Sequence, residues 1–290
     1  MPKRFSVGPF DSRHTHIRLM LGLLFSSGIG LLAYRRQSLD TSGVLGAIAS
    51  GTSIVGMGGW SWGLSLIYFF VSSSLLSSFR AQEKASTAAD KFSKGSRRDL
   101  AQVAANGGLA TLFALLSGFL RSPSTRRRAK AGFTGALATA TADTWATELG
   151  VLSAASPRLI TSGKPVAPGT SGAVTLLGMA ASALGACSLG FFFWACQGFR
   201  KSLAPVPLLA LLSGMVGSCF DSALGATLQA MYICPACKTE TELRIHHCGA
   251  RTEFLRGLAW MNNDMVNFLA TASGSAVAIA LSSFLLPKEG

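Results

Sequence analysis

Four acidic residues stand where the chain otherwise avoids charge. Asp143 and Glu148 lie five residues apart late in the apolar stretch 129–152, Asp221 lies in the last two turns of 207–228, and Asp264 immediately precedes 265–286. Ionisable groups in apolar helices are costly to desolvate, so a functional site is the default expectation for them. Asp143 is set in Thr-Ala-Thr-Ala-Asp-Thr-Trp and Asp221 in Ser-Cys-Phe-Asp-Ser-Ala-Leu-Gly-Ala-Thr. Small neighbours let helices approach closely and turn such carboxylates inward. A single buried acid could do no more than fix packing through a Thr, Ser or Asn. Four acids from three stretches at one end favour chemistry. Carboxylate and amide oxygens are the hard ligands that Mg²⁺ accepts, usually with substrate phosphates completing its shell.

Basic residues fall in the connections at that same end: Arg80, Lys84, Arg97, Arg98, Arg158 and Lys164. Such side chains hold phosphate oxygens, Arg often with two parallel hydrogen bonds. The run Pro168, Gly169, Thr170, Ser171, Gly172 comes directly before an apolar stretch. Its amides at a helix start would cradle a phosphate, although a simple turn and cap would use the same residues. Acidic ligands, basic loops and the glycine run together indicate a metal–phosphate site. Phosphoryl transfer asks for little more, being mostly positioning and charge neutralisation.

A second constellation is local. Cys234-Pro-Ala-Cys237 precedes His246, His247 and Cys248. Two cysteines at this spacing and a later His/Cys pair supply four ligands for tetrahedral Zn²⁺, with His246 preferred over His247. Four ligands leave no open position, so a structural site is expected. A redox pair or unrelated thiols form the alternative.

These residues must be positioned by elements that the composition identifies. The 290 residues are 49% hydrophobic and only 13% charged, against about 25% charged in soluble domains. Stretches 19–34, 60–76, 103–120, 129–152, 173–194, 207–228 and 265–286 approach or exceed the roughly 20 residues that cross a bilayer core. The Gly-rich run 44–57 is an eighth span or a re-entrant piece. The fold expected is all-α: a polytopic transmembrane helical bundle of about seven or eight helices. It forms a single integral membrane domain over 1–290 with a small cytoplasmic Cys/His loop at 231–252.

The net charge of +13 lies between apolar stretches, including the cluster from Arg121 to Lys130. That placement indicates topology and lipid headgroups and argues against nucleic acid. The basic N-terminus, with Lys3, Arg4, Arg13 and Arg18, reads as the flank of a retained first helix. Alternation from Trp60 onward places loops 77–102, 153–172 and 229–264 on one side, with 12 Lys and Arg against 8 on the other. The excess puts the acidic end in the cytoplasm. A bacterial inner membrane is the simplest location and an organelle membrane the alternative.

Several ordered motifs resemble an integral membrane family that includes plant phytyl-phosphate kinase and the transmembrane-protein-19 group. They run from Ser72-Ser-Ser-Leu-Leu-Ser-Ser-Phe-Arg80 through Gln102-Val-Ala-Ala-Asn106-Gly-Gly to Ala142-Asp143-Thr-Trp-Ala-Thr-Glu148-Leu-Gly. Pro157-Arg158-Leu-Ile-Thr161, Pro168-Gly169-Thr170, Asp221-Ser222-Ala-Leu-Gly225-Ala-Thr227-Leu-Gln229 and Asn263-Asp264-Met-Val-Asn267 continue the likeness. Where the family reads Gly-Thr-Asn-Gly-Gly, this chain has Gly169-Thr170-Ser171-Gly172-Ala173, which leaves backbone binding but no Asn side chain.

The resemblance implies an isoprenoid monophosphate kinase, which moves a phosphoryl group from a nucleoside triphosphate to a phytyl-type monophosphate. In that scheme Asp143, Glu148, Asp221 and Asp264 are the catalytic acids, with Asp143 and Asp221 foremost as Mg²⁺ ligands. Arg80, Arg158 and Lys164 contact phosphate, Gly169, Thr170, Ser171 and Gly172 cradle it, and Asn106, Asn263 and Asn267 position substrate or metal. The isoprenoid chain would lie between helices within the lipid bilayer. A cation-coupled transporter and a lipid nucleotidyltransferase are the competing readings. The first predicts carboxylates near the bilayer midplane and access from both sides.

Overall fold

In the computed structural model, residues 12–88, 97–120 and 122–287 are described. Lys3, Arg4 and Arg121 of the basic clusters lie outside these residues. Nine α-helices occur among the described residues: α1 (Ser12–Arg35), α2 (Thr41–Ser53), α3 (Trp60–Ser78), α4 (Ala81–Ala88), α5 (Leu100–Phe119), α6 (Pro123–Gly150), α7 (Leu176–Cys196), α8 (Val206–Thr227) and α9 (Asn263–Leu285). All but α4 run along the bundle. Five of them, α1, α5, α7, α8 and α9, are long and apolar enough to cross a membrane by length and composition.

The Gly-rich run 44–57 belongs to a full-length helix. After Ser53, α2 widens into a π-helical turn over Ile54–Gly58, so the helical stretch of 18 residues measures about 27 Å at 1.5 Å per residue. It packs antiparallel on α1. A Cβ on Gly51 would collide with Ser26, one on Gly56 with Leu19, and one on Gly30 would press on Val44. With α2 traversing, the bundle has eight long helices, and the start of α1 lies opposite the acidic end.

Helix α6 escapes the apolar criterion because it has little need of lipid-facing surface. It packs against α3, α5, α7, α8 and α9, and every residue from Ala131 to Ala142 is buried. Ala, Gly and Thr fill this stretch because five neighbours leave no room for larger side chains. At Gly135 a Cβ would meet the backbone of Gly274 in α9, and at Gly217 of α8 it would meet Thr139. Such close approach is how membrane helices associate by packing alone. Phe133 and Leu137 are the large exceptions, and the Phe133 ring lies 4.2 Å from that of Trp62 and 5.9 Å from that of Phe193.

Helices that start at the acidic end carry side-chain caps. Asp40 accepts from the Gly43 amide at 2.7 Å and from the Ser42 hydroxyl at 2.8 Å. These bonds hold its carboxyl below the usual carboxylate range. Asp99 and Gln102 form a capping box on α5. Thr175 caps α7 at 3.0 Å and Asn262 caps α9 at 3.0 Å. Helices α3, α6 and α8 start at the other end without a side-chain cap hydrogen bond.

Two small sheets close the acidic end. Strand β1 (Arg158–Leu159) pairs antiparallel with β2 (Ala173–Val174). Strands β3 (Met231–Ile233), β4 (Glu240–Thr241) and β5 (Glu253–Arg256) form a sheet ordered β4-β3-β5. The first sheet corrects two expectations. The apolar stretch expected from 173 begins as strand, with α7 starting at Leu176. Consequently Gly169–Gly172 forms a turn between strands and does not sit at a helix N-terminus. Thr175 takes the cap position, and the amide of Thr170 is engaged by the Ala167 carbonyl.

Candidate functional site at the polar end of the bundle

Asp143 and Asp221 project from neighbouring helices and lie within electrostatic reach of one another inside the bundle. Asp143 lies seven residues before the end of α6 and Asp221 six before the end of α8. Both are therefore about 10 Å inside the bundle at 1.5 Å per residue, roughly midway between the helix middles and the helix ends. The Ser218 hydroxyl donates to Asp143 Oδ1 at 3.4 Å. Asp221 lies within electrostatic reach of Asp143 and of Glu242, which follows β4. Its Oδ2 is buried without a hydrogen-bond partner. Buried like charges with an unsatisfied oxygen are unfavourable unless a proton or cation joins them.

A polar chain ties this pair to both sheets. Gln229, only 2% exposed, receives a hydrogen bond from Ser171 Oγ at 2.5 Å and donates to Glu242 Oε1 at 2.8 Å. Gly172, at φ +80°, packs so tightly on Ala226 that a Cβ there would collide with it. The turn 169–172 is thereby brought against the end of α8. Arg256 donates to the carbonyls of Gly225 and Ala226 at 3.1 and 3.0 Å and pairs with Glu240 at 3.0 Å. It thus satisfies orphan carbonyls at the C-terminus of α8 with a favourable positive charge.

Glu148 belongs to a different cluster. Five residues separate it from Asp143, which is about 140° around the helix, so it faces α3 and α4. The Ser77 hydroxyl donates to its Oε1 at 2.5 Å, and Lys84 Nζ contacts its Oε2 at 2.5 Å. Lys84 also donates to the carbonyls of Leu76 and Ser77 at 2.7 and 3.0 Å. All three ammonium donors are engaged, which makes Lys84 a cap for α3. Arg98 donates to Ser74 Oγ at 2.9 Å. Burial pushes its guanidinium below the usual value, and Glu148 pulls it back up.

The remaining expected site residues are spread around this centre. Asp264 and Asn263 occupy the first turn of α9 and Asn267 the next. That helix start packs on the end of α8, where Val266 and Met261 meet Leu224. Asn106 donates to the Gln102 carbonyl one turn earlier in α5, at 3.1 Å. Arg80 is exposed and paired with Glu83 at 2.6 Å. Arg158 donates to the Gly163 carbonyl at 2.8 Å and Lys164 is exposed, both on the β1–β2 hairpin. The sequence reading missed Ser218, Gln229, Glu242 and Arg256 as members of the site. Gln229 carried a signal as the last residue of the Asp221 motif, and Ser218 as the first of the small-residue run around Asp221.

Cys234, Cys237, His246 and Cys248 come together, with one ligand atom from each lying within 4.8 Å of the others. His247 is not part of this group.

Eight long helices, five of them suited to crossing a membrane, with buried carboxylates two turns inside one end, define a multi-pass integral membrane protein. The chain belongs to the integral membrane protein family DUF92, whose profile matches residues 24–275. Protein PGR of Arabidopsis thaliana is 32% identical over 287 residues, covering 92% of this chain and 94% of that protein. An uncharacterized membrane protein of Methanocaldococcus jannaschii is 29% identical over 273 residues, covering 93% and 97%. Protein VTE6, chloroplastic, of Arabidopsis thaliana is 25% identical over 267 residues, covering 91% and 70%. No solved structure gives a significant match.

Proposed function

We propose that this protein phosphorylates an isoprenoid monophosphate of phytyl type at the expense of a nucleoside triphosphate, releasing the isoprenoid diphosphate and a nucleoside diphosphate. The observation that carries this reading is Asp221, within electrostatic reach of both Asp143 and Glu242 and with its Oδ2 buried without a partner. Its oxygens fit a hard divalent cation, with Asp143 and Asp221 as the residues that would hold Mg²⁺. The ordered motifs shared with a family that includes phytyl-phosphate kinase support the substrate class.

An oxygen of the acceptor phosphate forms the new bond to the γ-phosphorus as the bond to the β–γ bridging oxygen breaks, and the nucleoside diphosphate leaves. The acceptor is already an anion at neutral pH, so no strong general base is required of the chain. Mg²⁺ would supply neutralisation of the charge that gathers on the phosphoryl oxygens. Asp143 and Asp221 would hold that cation, two turns inside the bundle. The turn 169–172 rests on the end of α8 and, with Arg158 and Lys164 of the same hairpin, faces an incoming phosphate from the polar end. The isoprenoid chain lies among the apolar helices, so substrate enters from the lipid with its headgroup at this end.

The test is phosphoryl transfer by detergent-purified protein with Mg²⁺, each labelled nucleoside triphosphate, and phytyl, farnesyl and geranylgeranyl monophosphates. Isoprenoid diphosphate and nucleoside diphosphate are the expected products, and Asp143→Asn removes them. Pyrophosphate release would identify a nucleotidyltransferase instead. No product from folded protein would overturn the enzyme reading and direct attention to ion flux in liposomes.

A further inference from the structure

The stretch from Gln229 to Met261 crosses the polar end with three short strands and almost no apolar core. Among its residues only Gln229, Ala230, Met231, Cys234, Thr241, His246 and Met261 are buried. A segment with so little to bury needs a staple. Two turns supply one. Cys234 and Cys237 bracket the turn after β3, which Lys238 completes at φ +56°. His246 and Cys248 lie on the facing turn, closed by a Gly249 amide bond to the His246 carbonyl at 2.8 Å and by φ +84° at Gly249.

The geometry points to a closed tetrahedral zinc site formed by Cys234, Cys237, His246 and Cys248. Cys234 Sγ and Cys248 Sγ are 3.6 Å apart, and His246 Nδ1 is 3.2 Å from Cys248 Sγ. Two thiolates bound tetrahedrally at Zn–S distances near 2.3 Å stand about 3.8 Å apart, whereas a disulfide brings sulfurs to about 2.05 Å. The Cys237 amide also donates to Cys234 Sγ at 3.4 Å, a bond that favours thiolate. His246 is buried and oriented into the cluster, while His247 is exposed. Cys237 and Cys248 are exposed, which gives the ion a path in.

Four protein ligands leave no position for water or substrate, so the metal is structural. What it holds in place is the loop that carries Glu242 to Asp221 and Arg256 to the end of α8. The site stands on its own donors and does not depend on the proposed reaction.

Zinc bound to the full-length protein, purified in detergent without chelator, is measured by plasma mass spectrometry. About one zinc per chain is expected, and Co²⁺ exchanged into the wild-type protein should show the visible bands of a tetrahedral thiolate site. Cys237→Ser and Cys248→Ser should lower bound zinc about tenfold or more, and His247→Ala should leave it unchanged. Zinc-free wild-type protein with free thiols, or a Cys234–Cys248 or Cys234–Cys237 disulfide found by peptide mapping, would overturn the proposal. Loss of zinc in His247→Ala with retention in His246→Ala would overturn the ligand set. The wild-type stoichiometry and cobalt spectrum decide the matter even if a cysteine variant fails to fold.

Discussion

Helix α6 carries two carboxylates five residues apart, and their surroundings are opposite. Glu148 meets a lysine, a serine hydroxyl and, at longer range, Arg98. Asp143 meets a distant serine hydroxyl and lies within electrostatic reach of Asp221, which Glu242 after β4 also approaches. The first arrangement is a finished interaction that ties α6 to the ends of α3 and α4. The second is incomplete, since like charges inside a bundle are stable only with a proton or cation between them. The difference separates a residue that holds the scaffold from one able to take a ligand, although both looked alike as buried acids.

The largest effect expected from this contrast is at Asp221. Asp221→Asn should lower phosphoryl transfer about 10²–10³-fold, the usual consequence of losing one electrostatic contact in a transition state. Thermal stability without Mg²⁺ should hold or rise, because a buried charge is removed. Full activity in the folded variant would take Asp221 out of the site.

Lys84→Met should act the other way. It strands Glu148 and uncaps α3, costing on the order of 3 kcal/mol, with activity per folded molecule changed only a few-fold. The double variant Lys84→Met, Glu148→Gln should recover part of that stability. Failure to recover any would show that Glu148 and Lys84 are not a compensating pair. Arg256→Met removes a cap of α8 and the partner of Glu240, for a loss of about 1.5 kcal/mol in detergent unfolding. A double-mutant cycle with Glu240→Gln measures the share due to that pair. Ser218→Ala should matter least, about 0.5 kcal/mol, since its bond to Asp143 is long; a loss as large as that of Lys84→Met would mean that Asp143 too is held mainly for packing.

The bundle itself was legible in the chain. Seven stretches marked by length and apolarity became helices, most within three residues of their expected ends, because spanning length and breaks in hydrophobicity are local properties. Helices α1 and α6 were extended furthest, each gaining polar turns before its apolar stretch, α1 from Ser12 and α6 from Pro123. The run 44–57 was undecided, because Gly and Ser there reflect contact with α1, which no window along the chain contains. The glycine turn was misplaced for a related reason. Gly169–Gly172 reads as a helix start beside an apolar run, but pairing of Ala173–Val174 with Arg158–Leu159 delays α7 until Leu176.

Residue types alone marked Asp143 and Asp221 as acids out of place, Cys234, Cys237, His246 and Cys248 as a candidate ligand set, and the end of the bundle to which they belong. These follow from desolvation cost, spacing and alternation, all readable in one dimension. Tertiary structure decided which acid is neutralised and which is not. Lys84 reaches Glu148 across 64 residues and Glu242 approaches Asp221 from a loop beyond its helix. A carboxylate's role depends on the charges within a few ångströms of it, and only the packing of α3, α4, α6, α8 and the β3–β5 sheet brings those charges there.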